Sequence, residues 1–204
     1  LRGADVDYNP VFLAHLLIDS SKATLFISAG KIDAALAKEL AADGVALADY
    51  ADAAKALATL APGSTLLVDP KRITLAFREQ VPAHVKVIES INPSTLAKSR
   101  KGDAEAAFIR EAMAQDGAAM CEFYAWFEAA MARGDRMTEL TVDEQLSAAR
   151  ARRPGFVGLS FNTIAGFNAN GAMPHYRATP ASHAPIEGHG LLLIDSGGQY
   201  LGGT

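Results

Sequence analysis

The sequence predicts two consecutive α/β units within 204 residues, and three observations carry that expectation. Up to about Ile91, short apolar runs alternate with alanine-rich amphipathic segments, the texture of strands and helices packed in layers. From Ser94 to Gly134 strand signals almost vanish, and Phe108, Ala112, Met113, Met120, Phe123 and Phe127 recur with helical periodicity. From Phe156 the pattern returns to strands. Half of the residues are hydrophobic, enough at this length for a substantial core.

The elements follow in order. The first unit is expected to use Val11–Asp19, Ala23–Ala29, Ile32–Ala42, Ala51–Leu60, Ser64–Asp69, Arg72–Gln80 and Val85–Ser90. Runs rich in Val, Ile and Leu read as strands and the Ala/Leu/Lys/Glu segments as helices, giving a mixed sheet covered by helices. Pro62-Gly63 and Asp69-Pro70 punctuate it as turns or helix starts. Asn92-Pro93 opens the second unit, so the expected domain limits are 1–92 and 93–204. Ser94–Gly134 should be one long helix or two abutting ones, ended by Gly134-Asp135. Thr141-x-x-Glu144 reads as the capping box of a further helix reaching about Arg152 and stopped by Pro154-Gly155. A strand over Phe156–Phe167, a turn at Asn168-Ala169-Asn170-Gly171, a short strand over Ala172–Arg177 and a last strand over Gly190–Ile194 complete the reading.

Composition narrows the function classes. The net charge is −4 with both signs dispersed, and no Lys/Arg stripe is interleaved with aromatics, so no nucleic-acid partner is expected. Apolar runs such as Val11–Ile18 and Leu191–Ile194 are too short to span a bilayer, and no basic-then-apolar signal segment opens the chain. No membrane association is expected, and a cytoplasmic location follows as the default. A single cysteine, Cys121, permits no internal disulfide. The chain starts at Leu1 and stops at Gly203-Thr204 directly after an apolar strand and a glycine-rich turn, which reads as an excerpt of a longer protein.

Two segments carry chemistry. In Asn170-Gly171-Ala172-Met173-Pro174-His175-Tyr176 a histidine follows a tight Asn-Gly turn. In Leu191-Leu192-Leu193-Ile194-Asp195-Ser196-Gly197-Gly198-Gln199-Tyr200 an apolar strand delivers an aspartate into small residues. A carboxylate at the end of a buried strand is costly unless it is hydrogen-bonded, ion-paired, protonated or bound to metal, so Asp195 calls for a partner. Taken singly, each has a plainer reading: an aspartate before Ser-Gly-Gly is often a turn former, and a strand histidine is often a hydrogen-bonded structural residue.

The order of these motifs resembles that of the Xaa-Pro aminopeptidases (aminopeptidase P) of the pita-bread metallopeptidase family. The resemblance begins at Leu1-Arg2-Gly3-Ala4-Asp5-Val6-Asp7-Tyr8-Asn9-Pro10-Val11-Phe12, runs through Lys98–Glu105 and the Glu111–Trp126 helix, and passes Leu159-Ser160-Phe161-Asn162-Thr163-Ile164. It ends with Asn170-Gly171, His175-Tyr176, Ile194–Tyr200 and Gly202-Gly203-Thr204. It implies a creatinase/prolidase N-terminal-like α/β middle domain followed by the first part of a pita-bread α+β catalytic domain. The implied activity is hydrolysis of the bond between an N-terminal residue and a following proline, on peptides with proline in second position. The implied cofactor is a pair of divalent metal ions, Mn foremost, with Co or Zn as alternatives. Asp195 matches the first metal-ligand aspartate of the family. His175 matches the histidine that contacts the bound peptide and stabilises the reacting carbonyl or transfers a proton. The family's second aspartate, ligand histidine and two ligand glutamates would fall beyond Thr204, so this excerpt alone should be inactive. Prolidase, a creatinase-like hydrolase, or a non-catalytic pita-bread module that binds peptide or protein are the competing readings. A homodimer is left open, since nothing in the sequence identifies an interface.

The remaining candidates have structural readings. His15, His84, His183 and His189 share no ligand-like spacing, although His183 and His189 lie in the loop after the His175 segment. Cys121, among Met120, Phe123 and Trp126, is expected in the core. Arg150, Arg152 and Arg153 lie at a helix C-terminus and are expected as a solvated cap. Gly197-Gly198 and Gly202-Gly203 do not form a phosphate loop, because no helix follows them.

Overall fold

The computed structural model describes residues 3–204; Leu1 and Arg2, which open the resemblance, lie outside the described residues. The chain forms two compact units, Val11–Arg100 and a second made of residues 3–10 with Lys101–Thr204.

In the first unit, β1 (Ala14–Ile18) and β2 (Ala23–Ile27) form an antiparallel hairpin. The Asp19 carboxylate closes it by accepting the Ser21 N–H at 2.7 Å and the Lys22 N–H at 3.0 Å, an aspartate-stabilised turn. Leu25, Phe26 and Ile27 are all buried in succession, as befits a central strand covered on both faces. Helix α1 (Ala34–Ala42), capped by Asp33, leads to β3 (Val45–Asp49), which pairs parallel to β2. This strand was not among the expected elements; its Val-Ala-Leu-Ala-Asp sequence offers only two large apolar side chains, and pairing with β2 overrides its weak propensity. A 3-10 turn (Tyr50–Asp52) and α2 (Ala53–Ala58) precede β4 (Thr65–Val68), and α3 (Leu75–Gln80) connects it to the parallel β5 (Lys86–Glu89). Asn92 caps α4 (Pro93–Ser99), and the Asn92 N–H donates to Asp69 at 3.0 Å. The expected mixed sheet is the β1-β2-β3 sheet, with β4-β5 as a separate pair.

The second unit is built on α5 (Asp103–Arg133), 31 residues long. Ala112, Ala119, Phe123 and Ala130 form its buried stripe, and Gly134 ends it in the left-handed conformation at φ 74°. The strand-poor tract is thus two helices, α4 and α5. Phe108 and Met113, expected to belong to the apolar stripe, are 62% and 54% exposed.

Helix α6 (Glu139–Ala151) begins earlier than the Thr141 capping box implied. Thr138 is the cap: its hydroxyl accepts the Thr141 N–H at 3.2 Å. The expected Phe156–Phe167 strand is two strands, β6 (Phe156–Leu159) and β7 (Ile164–Phe167). A 3-10 turn (Asn168–Ala172), β8 (Leu192–Asp195) and β9 (Gly198–Tyr200) complete the chain. β7 pairs with β8 and β6 with β9, both antiparallel. The core lies between α5, α6 and one face of the β7–β8 pair: Phe123, Met137, Val142, Leu146 and Ala165 are buried, with Phe167, Leu192 and Ile194 packed against them. Among the described residues, no helix is long and apolar enough to cross a membrane.

Candidate active site

Asp195 ends β8 and pairs across the ladder with Ile164. Alternation along the strand sends Leu192 and Ile194 to the core and leaves Leu193 and Asp195 exposed on the opposite face. Gly166, directly opposite Leu193, shares that face. A Cβ on Gly166 would lie 2.8 Å from the Gly171 backbone, and one on Gly171 would lie 3.4 Å from the Leu193 Cβ. The 3-10 turn therefore folds back over the Asp195 face of the hairpin, and two glycines permit the approach. Asn168, at φ 48°, makes the reversal: its N–H donates to the Leu191 carbonyl at 2.8 Å, and its side-chain oxygen accepts the Leu191 N–H at 3.0 Å.

His175 follows this turn, but not on a strand. It sits in a turn at φ 57°, a left-handed conformation incompatible with the expected Ala172–Arg177 strand, and the Tyr176 N–H donates to the Met173 carbonyl at 3.2 Å. The strand expected over Ala172–Arg177 is therefore absent: Asp195 is on the hairpin and His175 on the loop that leaves the turn packed over it. Both side chains are exposed.

What anchors this loop is a residue that the sequence did not single out. Glu139, in the first turn of α6, is fully buried. Its carboxylate accepts from the Phe167 N–H at 2.7 Å, the Ala184 N–H at 2.7 Å, the Tyr176 hydroxyl at 2.7 Å and the Asn170 amide at 3.0 and 3.2 Å. The Asn170 amide also donates to the Tyr176 hydroxyl at 3.0 Å. Burial pushes the Glu139 carboxyl up, but the hydrogen bonds from Phe167, Ala184, Tyr176 and Asn170 outweigh it and hold the group below its ordinary value. Tyr176 is pushed up to about 12, first by burial and then by the bond to Glu139.

A second, partly buried acid sits on α5. Asp116 accepts from Arg150 Nε at 2.8 Å and Nη2 at 3.1 Å, and from the Tyr200 hydroxyl at 2.9 Å, so it ties α5 to α6 and β9. Burial raises its carboxyl, while the Arg150 guanidinium and the Tyr200 hydroxyl bring it below the ordinary value. Tyr200 is pushed up to about 12 by burial and by Asp116. Arg150 is only 1% exposed, which corrects its assignment to a solvated cap; Arg152, about half exposed and bonded to Glu122 at 2.9 Å, fits that expectation better. Cys121 is exposed rather than in the core, because it lies off the Ala119–Phe123 stripe of α5. His84 meets the Leu60 carbonyl at 2.9 Å, His183 meets the Thr179 carbonyl at 3.0 Å, and His15 packs on Tyr50 and Phe77. Gly202 and Gly203 lie against Phe108, Ile109 and Ala112 of α5, where side chains would crowd the helix.

Among the described residues, no three His, Cys, Asp or Glu side chains converge as a metal-binding group. These residues therefore do not by themselves fit a two-metal centre; Asp195 is a single oxygen donor at the rim of a structured hairpin.

The second unit thus combines a helix pair packed on antiparallel strands with an exposed acid at a strand end and a histidine on an anchored loop. Comparison with known proteins places this arrangement: residues 1–105 match the creatinase/prolidase N-terminal domain, so the chain belongs to that family, and residues 107–204 match metallopeptidase family M24. It is 35% identical over its whole length to Xaa-Pro aminopeptidase 1 of Dictyostelium discoideum and 31% identical to aminopeptidase P2 of Arabidopsis thaliana. It spans about a third of each relative, 32% and 33%. The fold matches that of a Caenorhabditis elegans X-prolyl aminopeptidase, described as a cytosolic enzyme with a di-nuclear active site, with TM-score 0.86 and 24% identity over 98% of this chain and 33% of that one. A prolidase from Pyrococcus furiosus matches with TM-score 0.54 and 19% identity, over 95% of this chain and 53% of that one.

Proposed function

We propose that this chain is part of a metalloaminopeptidase that hydrolyses the bond between an N-terminal residue and a following proline. The observation that carries the reading is the join between the two motifs: the turn leading to His175 packs over the face of the β7–β8 hairpin that bears Asp195. Relatives named Xaa-Pro aminopeptidase and aminopeptidase P, aligned with 100% of the chain, support the same substrate class.

In this reading Asp195 would hold one of two divalent ions through its carboxylate, and His175 would contact the reacting carbonyl or pass a proton. The ions, when bound, would activate water and polarise the carbonyl; Mn is the proposed metal, with Co or Zn as alternatives. Their other ligands would come from the part of the relatives' length that this chain does not span. A cytoplasmic location, a homodimer and a domain boundary at 92/93 belong to the same proposal.

The test is peptide hydrolysis by the full-length protein loaded with Mn. Release of the first residue from an Xaa-Pro tripeptide, with none from the matching Xaa-Ala tripeptide, is expected. Cleavage confined to Xaa-Pro dipeptides would favour a prolidase. A protein that purifies without stoichiometric metal and cleaves neither peptide would favour a creatinase-like or non-catalytic member.

A further inference from the structure

We propose that Glu139 is a positioning residue of this site, holding the loop from 167 to 184 so that His175 keeps the one backbone conformation the reaction uses. The inference rests on the reading of His175 given above and extends it to a residue that touches no reacting atom.

The geometry is specific. Glu139 is fully buried, and its donors come from Phe167, Asn170, Tyr176 and Ala184, which bracket His175 on both sides. Helix α6 does not need this carboxylate as a cap, since Thr138 already performs that role. A buried charge is costly, and an apolar side chain would fill the same space with less desolvation, so the carboxylate's distinctive effect is to gather separate donors into one arrangement. His175 itself is exposed and left-handed at φ 57°, a conformation that persists in a non-glycine residue only where the surroundings over-determine it. Its neighbour Tyr176 supplies that constraint. The Tyr176 ring is buried, its hydroxyl donates to Glu139, and it accepts from Asn170, whose amide is also bound to Glu139. The closed triangle Glu139–Asn170–Tyr176 thus fixes the backbone immediately after His175 and the turn that covers the Asp195 face.

The experiment is a double-mutant cycle in the full-length, metal-loaded enzyme, reading kcat and KM on an Xaa-Pro peptide together with metal content. Glu139→Gln keeps the shape but turns an NH2 toward two of the donors. It is expected to lower kcat about 10- to 100-fold, with KM and metal content nearly unchanged. In a His175→Ala background the same change should cost nothing further, because the group it positions is gone. Tyr176→Phe removes one hydroxyl only and carries the test should Glu139→Gln fold poorly; a smaller kcat loss with the same non-additivity is expected. Multiplicative losses in the double mutants, or unchanged kcat in both single mutants, would overturn the proposal. Unchanged turnover in His175→Ala alone would refute the reading of His175, and with it this inference, whereas loss in His175→Ala without loss in Glu139→Gln and Tyr176→Phe refutes the inference alone.

Discussion

Replacing Asp116 with alanine should destabilise the second unit severely, and the structure gives the scale. Arg150 is 1% exposed, and Asp116 accepts both its Nε and Nη2 as well as the Tyr200 hydroxyl, so the alanine leaves three donors, two of them on a buried cation, without their acceptor. Removing one partner of a buried ion pair costs about 3–5 kcal/mol. The Asp116 side chain is 20% exposed, so water reaches part of the vacated site and the lower end, about 3 kcal/mol, is expected. At about 2–4 °C per kcal/mol for a chain of this size, the midpoint should fall by about 6–12 °C. Replacing Arg150 with methionine in the same molecule removes the stranded cation, so Asp116→Ala/Arg150→Met should recover most of the loss. Urea unfolding followed by Trp126 fluorescence reads this unit directly, because Trp126 is the chain's single tryptophan and packs against its core. A change below about 0.5 kcal/mol in Asp116→Ala, the ordinary range for surface substitutions, would refute the reasoning. So would a double mutant less stable than the single.

Two other outcomes follow from the site. Gly166→Ala should destabilise by about 1–3 kcal/mol, since its Cβ would lie 2.8 Å from the Gly171 backbone and must push the turn off the hairpin; an unfolding midpoint equal to the parent's would contradict that packing. Tyr176 and Tyr200, pushed up to about 12, should ionise late in an ultraviolet titration. Their raised folded values mean that the stability they contribute is complete below about pH 10, their ordinary value, and is lost as pH rises through the folded value. Tyr176→Phe and Tyr200→Phe should each remove part of the absorbance change near pH 12, and a change lost near pH 10 instead would count against both networks.

The order of elements was legible because it is written in local signals. The strand-poor stretch from Ser94 declared helix, whether one or two, Gly134 its end, and the apolar run before Asp195 a strand. Errors arose where distant partners decide. β3 owes its strand to β2, not to its alanine-rich sequence. His175 takes a left-handed turn where a strand is expected, beside a tyrosine bound to an acid 37 residues upstream. Glu139 lies before the helix start that the Thr141 capping box implies, and Arg150 reads as a helix-end cation; only tertiary contacts, over 28–45 residues for Glu139 and 34 for Arg150, reveal their burial.

The central claim is that Asp195 serves the metals and His175 serves the reacting peptide. Metal content and peptide-release kinetics measured together on Asp195→Asn and His175→Ala variants of the full-length protein test it most directly. Asp195→Asn should lose metal and activity together, because a ligand's charge is gone, while His175→Ala should keep its metal and lose turnover. Full metal content with full activity in both variants would contradict the assignment.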